Sequence, residues 1–191
     1  MKPIFFTKGR HALVYGLKNL NLKKNDELML PTLICDVVIE EIKILGIKPV
    51  YYNINNKFDA DWKDIKKKFS TKIKGIIMVH FFGKPQMILK YRNFCKSNKI
   101  YLIEDNCHGF NGLKPLGKIG KYSDIVITSP NKIIKEIDNG GVLFIKKEKK
   151  LENRNYISLS RYKKNIYHKF KDQVKKIKFI KKLYRYIFNR P

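Results

Sequence analysis

Short apolar runs alternate along most of this chain with stretches in which apolar positions recur every three or four residues. The runs predict buried strands over 27–30, 49–54, 75–80, 100–104, 124–128 and 142–145. The periodic stretches predict helices over 10–20, 36–45, 60–69 and 86–97. Strands this short and apolar, each followed by a helix, belong to a mostly parallel sheet covered on both faces, a three-layer α/β domain. Asp59-Ala60-Asp61 marks a helix start, and Gly46 and Asn98 stand where helix C-caps are expected. Past residue 146 the character changes. Phe170, Val174, Ile177, Leu183 or Tyr184, and Ile187 follow a helical period, with Lys and Arg on the other faces. The expected organisation is therefore a domain over 1–146 and a basic amphipathic helical tail over 147–191.

Composition narrows this reading only in places. With 43% hydrophobic residues, 12 Phe and 11 Tyr among 191, the chain can build a core, so a disordered protein is excluded. The formal net charge is +26, which suits any anion: nucleic acid, an anionic membrane surface or a phosphorylated small molecule. No RNA-binding aromatic signature, zinc-finger spacing or helix-turn-helix pattern accompanies it, so charge alone is a weak argument for nucleic acid. Between 151 and 191 there are thirteen Lys or Arg against two acids, Glu152 and Asp172. That helix can pack on the domain or on a second subunit, or lie on an anionic membrane surface. Cys35, Cys95 and Cys107 form no C-x-x-C pair, which suits a reducing compartment. The start, Met1 to Phe6, is too short in apolar length for a signal peptide, and no run approaches the roughly 20 residues of a membrane span. The expected location is the cytoplasm.

Candidate chemistry concentrates between residues 104 and 141. The apolar run 100–103 ends in Glu104-Asp105-Asn106-Cys107-His108-Gly109, and the run 124–128 opens onto Ser129-Pro130-Asn131-Lys132, with Asn139-Gly140-Gly141 beyond. Ligands of parallel sheets gather at the carboxyl ends of strands, where Asp105 and Ser129 fall. An acid there, with a Ser and a Lys past the next strand, is the arrangement a pyridoxal 5'-phosphate site needs. The acid would pair with the pyridine nitrogen, the Lys would form the Schiff base, and the Ser would reach the phosphate. Asp105 taken alone could equally cap a turn, and Glu104 reads as structural. Two lysines compete for the covalent role, Lys132 and Lys135. A metal reading of Cys107, His108 and His80 finds no zinc-like spacing.

Five segments in order carry a family resemblance. They are Gly9-Arg10-His11-Ala12-Leu13, Asn25-Asp26-Glu27-Leu28-Met29-Leu30-Pro31, Gly46-Ile47-Lys48-Pro49-Val50, Val79-His80-Phe81-Phe82-Gly83 and Ile103-Glu104-Asp105. Residues 5 to 145 resemble the large domain of DegT/DnrJ/StrS-type sugar aminotransferases, fold type I pyridoxal phosphate enzymes that act on nucleotide-linked keto sugars. The resemblance implies that Asp105 holds the ring nitrogen, that His108 lies close to the ring, and that Lys132, buried and of lowered pKa, is the Schiff-base residue. The family's Lys often follows its Ser by five residues; here the spacing from Ser129 is three, a shorter loop. Phosphate binding would fall to the N–H groups of Gly9 and Arg10 with the Ser129 hydroxyl. Cys35 stands near where many relatives stack an aromatic ring on the cofactor.

By the same resemblance the activity would be an aminotransferase reaction. An amino-acid donor, glutamate by expectation, would supply the amino group to a nucleotide-sugar substrate in surface polysaccharide synthesis, within a homodimer. Relatives continue past residue 145 into a smaller domain that the remaining residues are too few to build. Two alternatives therefore stand beside the enzyme: a truncated cofactor-binding relic with little turnover, and a basic membrane- or nucleic-acid-binding protein that reuses the fold.

Overall fold

The sheet is built from the apolar runs, and its direction comes from the helices between them. The computed structural model describes residues 2–109, 120–133, 140–147 and 149. In chain order the elements are β1 (Lys2–Phe6), α1 (Gly9–Asn19), β2 (Glu27–Pro31), α2 (Asp36–Ile44), β3 (Lys48–Tyr52), α3 (Trp62–Lys68), β4 (Ile73–Val79), α4 (Ile88–Asn98), β5 (Tyr101–Asp105), β6 (Ile125–Thr128) and β7 (Gly141–Ile145). Two 3-10 turns, Phe81–Gly83 and Pro130–Lys132, follow β4 and β6.

Seven strands form one sheet in the order β1-β7-β6-β5-β4-β2-β3. The pairs β2–β3, β2–β4, β4–β5 and β5–β6 are parallel, whereas β7 runs antiparallel to both β6 and β1. The expected mostly parallel α/β sheet is present. One strand, β1, was not among those expected from the sequence. Its run Pro3-Ile4-Phe5-Phe6 follows no helix, and it pairs with β7 from the far end of the domain.

Apolar side chains leave both faces of the sheet, as runs without polar alternation require. On one face Ile77, Ile103, Ile125, Ile127 and Leu143 pack with Ala12, Leu13 and Leu17 of α1 and Val38 and Ile42 of α2. On the other, Met78, Leu102, Val126 and Phe144 pack with Ile65 of α3 and Ile88, Tyr91 and Cys95 of α4. Because strand side chains alternate, Asp105 follows Ile103 onto the α1/α2 face while Glu104 follows Leu102 onto the α3/α4 face.

Several boundaries differ from expectation, each for a local reason. Helix α3 starts at Trp62 because the Asp61 carboxylate accepts the N–H groups of Lys63 and Asp64. Helix α4 ends through Lys99 in the left-handed conformation; Asn98 is still helical, and its side-chain amide donates to the Phe94 carbonyl. Gly46 does end α2, at φ +71°. Of the expected tail over 147–191, all but residues 147 and 149 lies outside the described residues.

Candidate functional site

At the carboxyl ends of β2, β4, β5 and β6 a cavity of about 640 Å³ opens beside the start of α1. Gly9, Arg10, Cys35, Asp105, His108, Ser129 and Lys132 all line it, so the described candidates from four separate segments meet in one place. Lys135 lies outside the described residues.

Asp105 ends β5, partly exposed. Its Oδ1 accepts the Cys107 N–H at 3.0 Å, and the Cys107 thiol also bonds to the carboxylate, which together fix its orientation at the cavity. Burial and the neighbouring Asp105 carboxylate push the Cys107 thiol well above its usual range, so it is an inert wall rather than a nucleophile. Lys132 closes the 3-10 turn after β6, and its Nζ stands 3.3 Å from His108 Nε2. Both side chains are exposed; the expectation of a buried Lys does not hold, because the short Pro130–Lys132 turn carries the side chain to the open side of the cavity. Partial burial and the Lys132 ammonium lower the His108 pKa, against a smaller upward pull from Asp105. The ring is thus held neutral and can accept from Nζ.

Helix α1 begins at Gly9 with Lys8 as its N-cap, a residue whose side chain offers no cap hydrogen bond. Its first turn is therefore left for an anion. A side chain at Gly9 would meet Cys107 Sγ and Ser129 Oγ, both 3.4 Å from a Cβ there, so glycine keeps this corner open. The Ser129 hydroxyl points to Asn131 Oδ1 at 2.8 Å and to the Gly140 carbonyl at 3.2 Å. Gly141 lies against the Lys8 carbonyl so closely that any Cβ would overlap it. This close backbone approach fixes the Lys8–Gly9 corner. The Arg10 side chain is drawn elsewhere, with Nε 3.6 Å from Glu41 Oε1 on α2. Cys35 is the exposed N-cap of α2 at the cavity edge.

These features fit pyridoxal phosphate: a carboxylate at a strand end lining the cavity, an amine beside a neutral imidazole, and an uncapped helix start with a hydroxyl next to it. The sequence reading missed Phe82. Its ring is 74% exposed, lines the cavity and stacks on His108 with centroids 6.0 Å apart. A pair of phenylalanines before a glycine was the available signal, but nothing in the sequence shows which ring faces the site.

A family model described as the DegT/DnrJ/EryC1/StrS aminotransferase family matches residues 3–177. The chain belongs to this family. The match continues past residue 145, where the expected resemblance ends. Among curated relatives, GDP-perosamine synthase of Vibrio cholerae is 27% identical over 82% of this chain and 45% of its own length. The 3-oxo-glucose-6-phosphate:glutamate aminotransferase of Bacillus subtilis is 30% identical over 65% of this chain and 28% of its own. A Bacillus subtilis protein, NtdA, solved with bound cofactor PMP, superposes with a TM-score of 0.68 at 28% identity, covering 76% of this chain and 33% of that one. The chain thus spans less than half the length of each. The family uses pyridoxal phosphate. No helix of the described residues is long and apolar enough to cross a membrane.

Proposed function

We propose that this chain is the cofactor-binding part of an aminotransferase that moves an amino group from an amino acid, glutamate, to a keto sugar carried on a nucleoside diphosphate for surface polysaccharide synthesis. The observation that carries this reading is the meeting of Asp105, His108, Ser129 and Lys132 around one cavity at the uncapped start of α1. When bound, pyridoxal phosphate supplies an electron sink for the carbon that gains or loses the amino group. The protein's own share is position and proton movement. The Asp105 carboxylate would keep a proton on the ring nitrogen. Lys132 Nζ holds the cofactor between turnovers and carries the proton to and from the reacting carbon. His108, neutral and 3.3 Å away, aims Nζ without adding a second positive charge. Ser129 and the first turn of α1 hold the phosphate dianion.

The relatives' names support the substrate class: one acts toward a GDP-sugar and the other uses glutamate as donor. A homodimer, with the basic tail packed on the domain or its partner or touching a membrane surface, completes the reading, as does a cytoplasmic location. A boundary near residue 146 is part of it too. The exposed Lys132 side chain, where a buried Schiff-base amine was expected, favours one second reading, a cofactor-binding relic with little turnover.

One experiment separates these. Pyridoxal phosphate is added to the purified chain, its absorbance followed, the adduct fixed with borohydride and the labelled peptide mapped. Label on Lys132 is expected; label on Lys135 moves the site, and scattered label or none defeats the proposal. Glutamate is then added before reduction. Loss of label means conversion to the amine form and an active enzyme; persistence of label supports the relic. Salt-sensitive binding to liposomes or nucleic acid without cofactor uptake would favour the basic binding protein.

A further inference from the structure

Glu104 is an ionisable side chain with 0% exposure that the chemistry above does not use. It stands on the α3/α4 face, behind Asp105. Its Oε2 accepts the Gly120 N–H at 2.8 Å and lies 3.4 Å from His80 Nε2, while Oε1 has no partner among the described residues. His80 is equally buried, and its Nδ1 accepts the Gln86 N–H at 3.1 Å. That bond fixes the tautomer: the ring proton sits on Nε2, facing Glu104. Gln86 in turn donates through Nε2 to the Phe58 carbonyl at 3.0 Å. A continuous chain of hydrogen bonds therefore runs from Phe58 through Gln86, His80 and Glu104 to Gly120.

This chain closes the segment 80–86, which contains the Phe81–Gly83 turn. Within that turn Phe82 is held at φ 53°, ψ 24°, and the neighbouring Phe58, at φ 62°, packs edge-on against it with centroids 5.3 Å apart. Left-handed backbone is unfavourable for an aromatic residue, and here it occurs twice on one side of the site. Phe82 stacks on His108 at 20° between planes. Behind it, Gly83 and Gly109 lie so close that a Cβ on Gly109 would stand 2.8 Å from the Gly83 Cα. The turn thus presses directly on the backbone that carries His108. The His80 N–H also donates to the Asp105 carbonyl at 2.9 Å.

We infer that Glu104 is a positioning residue for the site: through His80 it holds the strained Phe81–Gly83 turn, and so keeps Phe82 against His108 and His108 beside Lys132. The inference rests on the aminotransferase reading for its chemical purpose, but its geometry can be tested without cofactor. Since Oε1 is unpartnered, Glu104→Gln can keep its oxygen where Oε2 now accepts both donors. Glu104→Leu removes the acceptor at similar size. The first should behave as wild type at the site and the second should not, whatever each does to overall stability.

The test is the imidazole NMR spectrum of the full cofactor-free chain, with the His108 resonance assigned by its loss in His108→Gln. In wild type the Phe82 ring current shifts that resonance, and Phe82→Leu shows its unstacked position. Glu104→Leu is expected to move the resonance to the Phe82→Leu position and Glu104→Gln to leave it in place. An unmoved His108 resonance in folded Glu104→Leu overturns the inference. Should that variant not fold, His80→Gln breaks the bond to the Gln86 N–H while remaining polar, and must move the resonance in the same way. Pyridoxal phosphate titration then adds a second readout, expected roughly tenfold weaker in Glu104→Leu and restored in Glu104→Gln. Failure of every variant and of wild type to take up cofactor would sink the aminotransferase reading while leaving the NMR result standing.

Discussion

The contact between Lys132 and His108 sets two basic groups against each other, and the imidazole gives way. His108 should titrate below the ordinary 6.5. Lys132→Ala removes one of the two causes that lower it, so the pKa should rise in that variant while burial holds it partly down; an NMR titration reads both. A His that binds its proton less readily when folded stabilises the fold above the unfolded pKa and loses that contribution as pH falls through the folded one. His11, lowered by burial and Arg10, acts in the same direction. Melting temperature should therefore fall on acidification from neutral pH through the histidine range, and a flat profile there would contradict the assignment. Gly141 offers a second test at this scale. Gly141→Ala forces a Cβ into the Lys8 carbonyl, which belongs to the backbone and cannot swing aside. It should cost about 1–3 kcal/mol in denaturant unfolding and weaken anion binding at the α1 start, because the Lys8–Gly9 corner must move.

Helix α1 reaches the sheet through Gly16, whose Cβ position lies 2.7 Å from Ile125 Cδ1 and 3.1 Å from Leu143 Cδ1. Those are the ends of flexible side chains, so Gly16→Ala should be near neutral, its helix propensity gain offsetting the crowding. Gly16→Val has no such room and should cost about 1–3 kcal/mol by denaturant unfolding, since α1 must lift from β6 and β7. On the opposite face the Tyr52 hydroxyl donates to the Ile77 carbonyl at 2.8 Å and meets the Tyr91 hydroxyl at 3.1 Å, both fully buried. Tyr52→Phe leaves those groups unpaired and should cost about 1–3 kcal/mol by the same measurement. The sequence made the parallel strands and α1 to α4 legible because each is an apolar run or an amphipathic stretch with its own turn residues. It did not make β1 legible, because that pairing joins residues from opposite ends of the domain, nor the reversed β7, since an apolar run carries no direction. The site was legible to the extent that Asp105, Ser129 and Lys132 sit at strand ends. The Phe82 stack and the Glu104–His80 link depend on which way a side chain turns after the strand ends, and periodicity holds no information about that.

Charge acts on the molecule as a whole. The chain has 42 Lys and Arg against 16 Asp and Glu, a surplus of 26 positive charges. Acid partners exist for some, as in Lys68–Asp64, Lys84–Asp59 and Arg92–Asp124, but most cations must face other cations across solvent. Exposed pairs of this kind contribute little, about 0–1 kcal/mol each, whereas self-repulsion grows with the whole surplus. Salt screens both, with a Debye length of about 10 Å at 0.1 M. Repulsion therefore dominates the balance, and raising sodium chloride from a few millimolar to about 0.15 M should raise the melting temperature. The same positive field attracts the phosphate of the cofactor and, under the proposed function, the diphosphate of a nucleotide sugar, so the affinity for each should fall over that salt range. Opposite slopes for stability and for anion binding are the expected pair of results, measured by thermal melts and pyridoxal phosphate titration in matched buffers. A melting temperature that fell with salt would mean that the ion pairs outweigh the surplus. Cofactor affinity indifferent to salt would mean that binding rests on Asp105, Lys132 and the α1 start alone, with no help from the surrounding field.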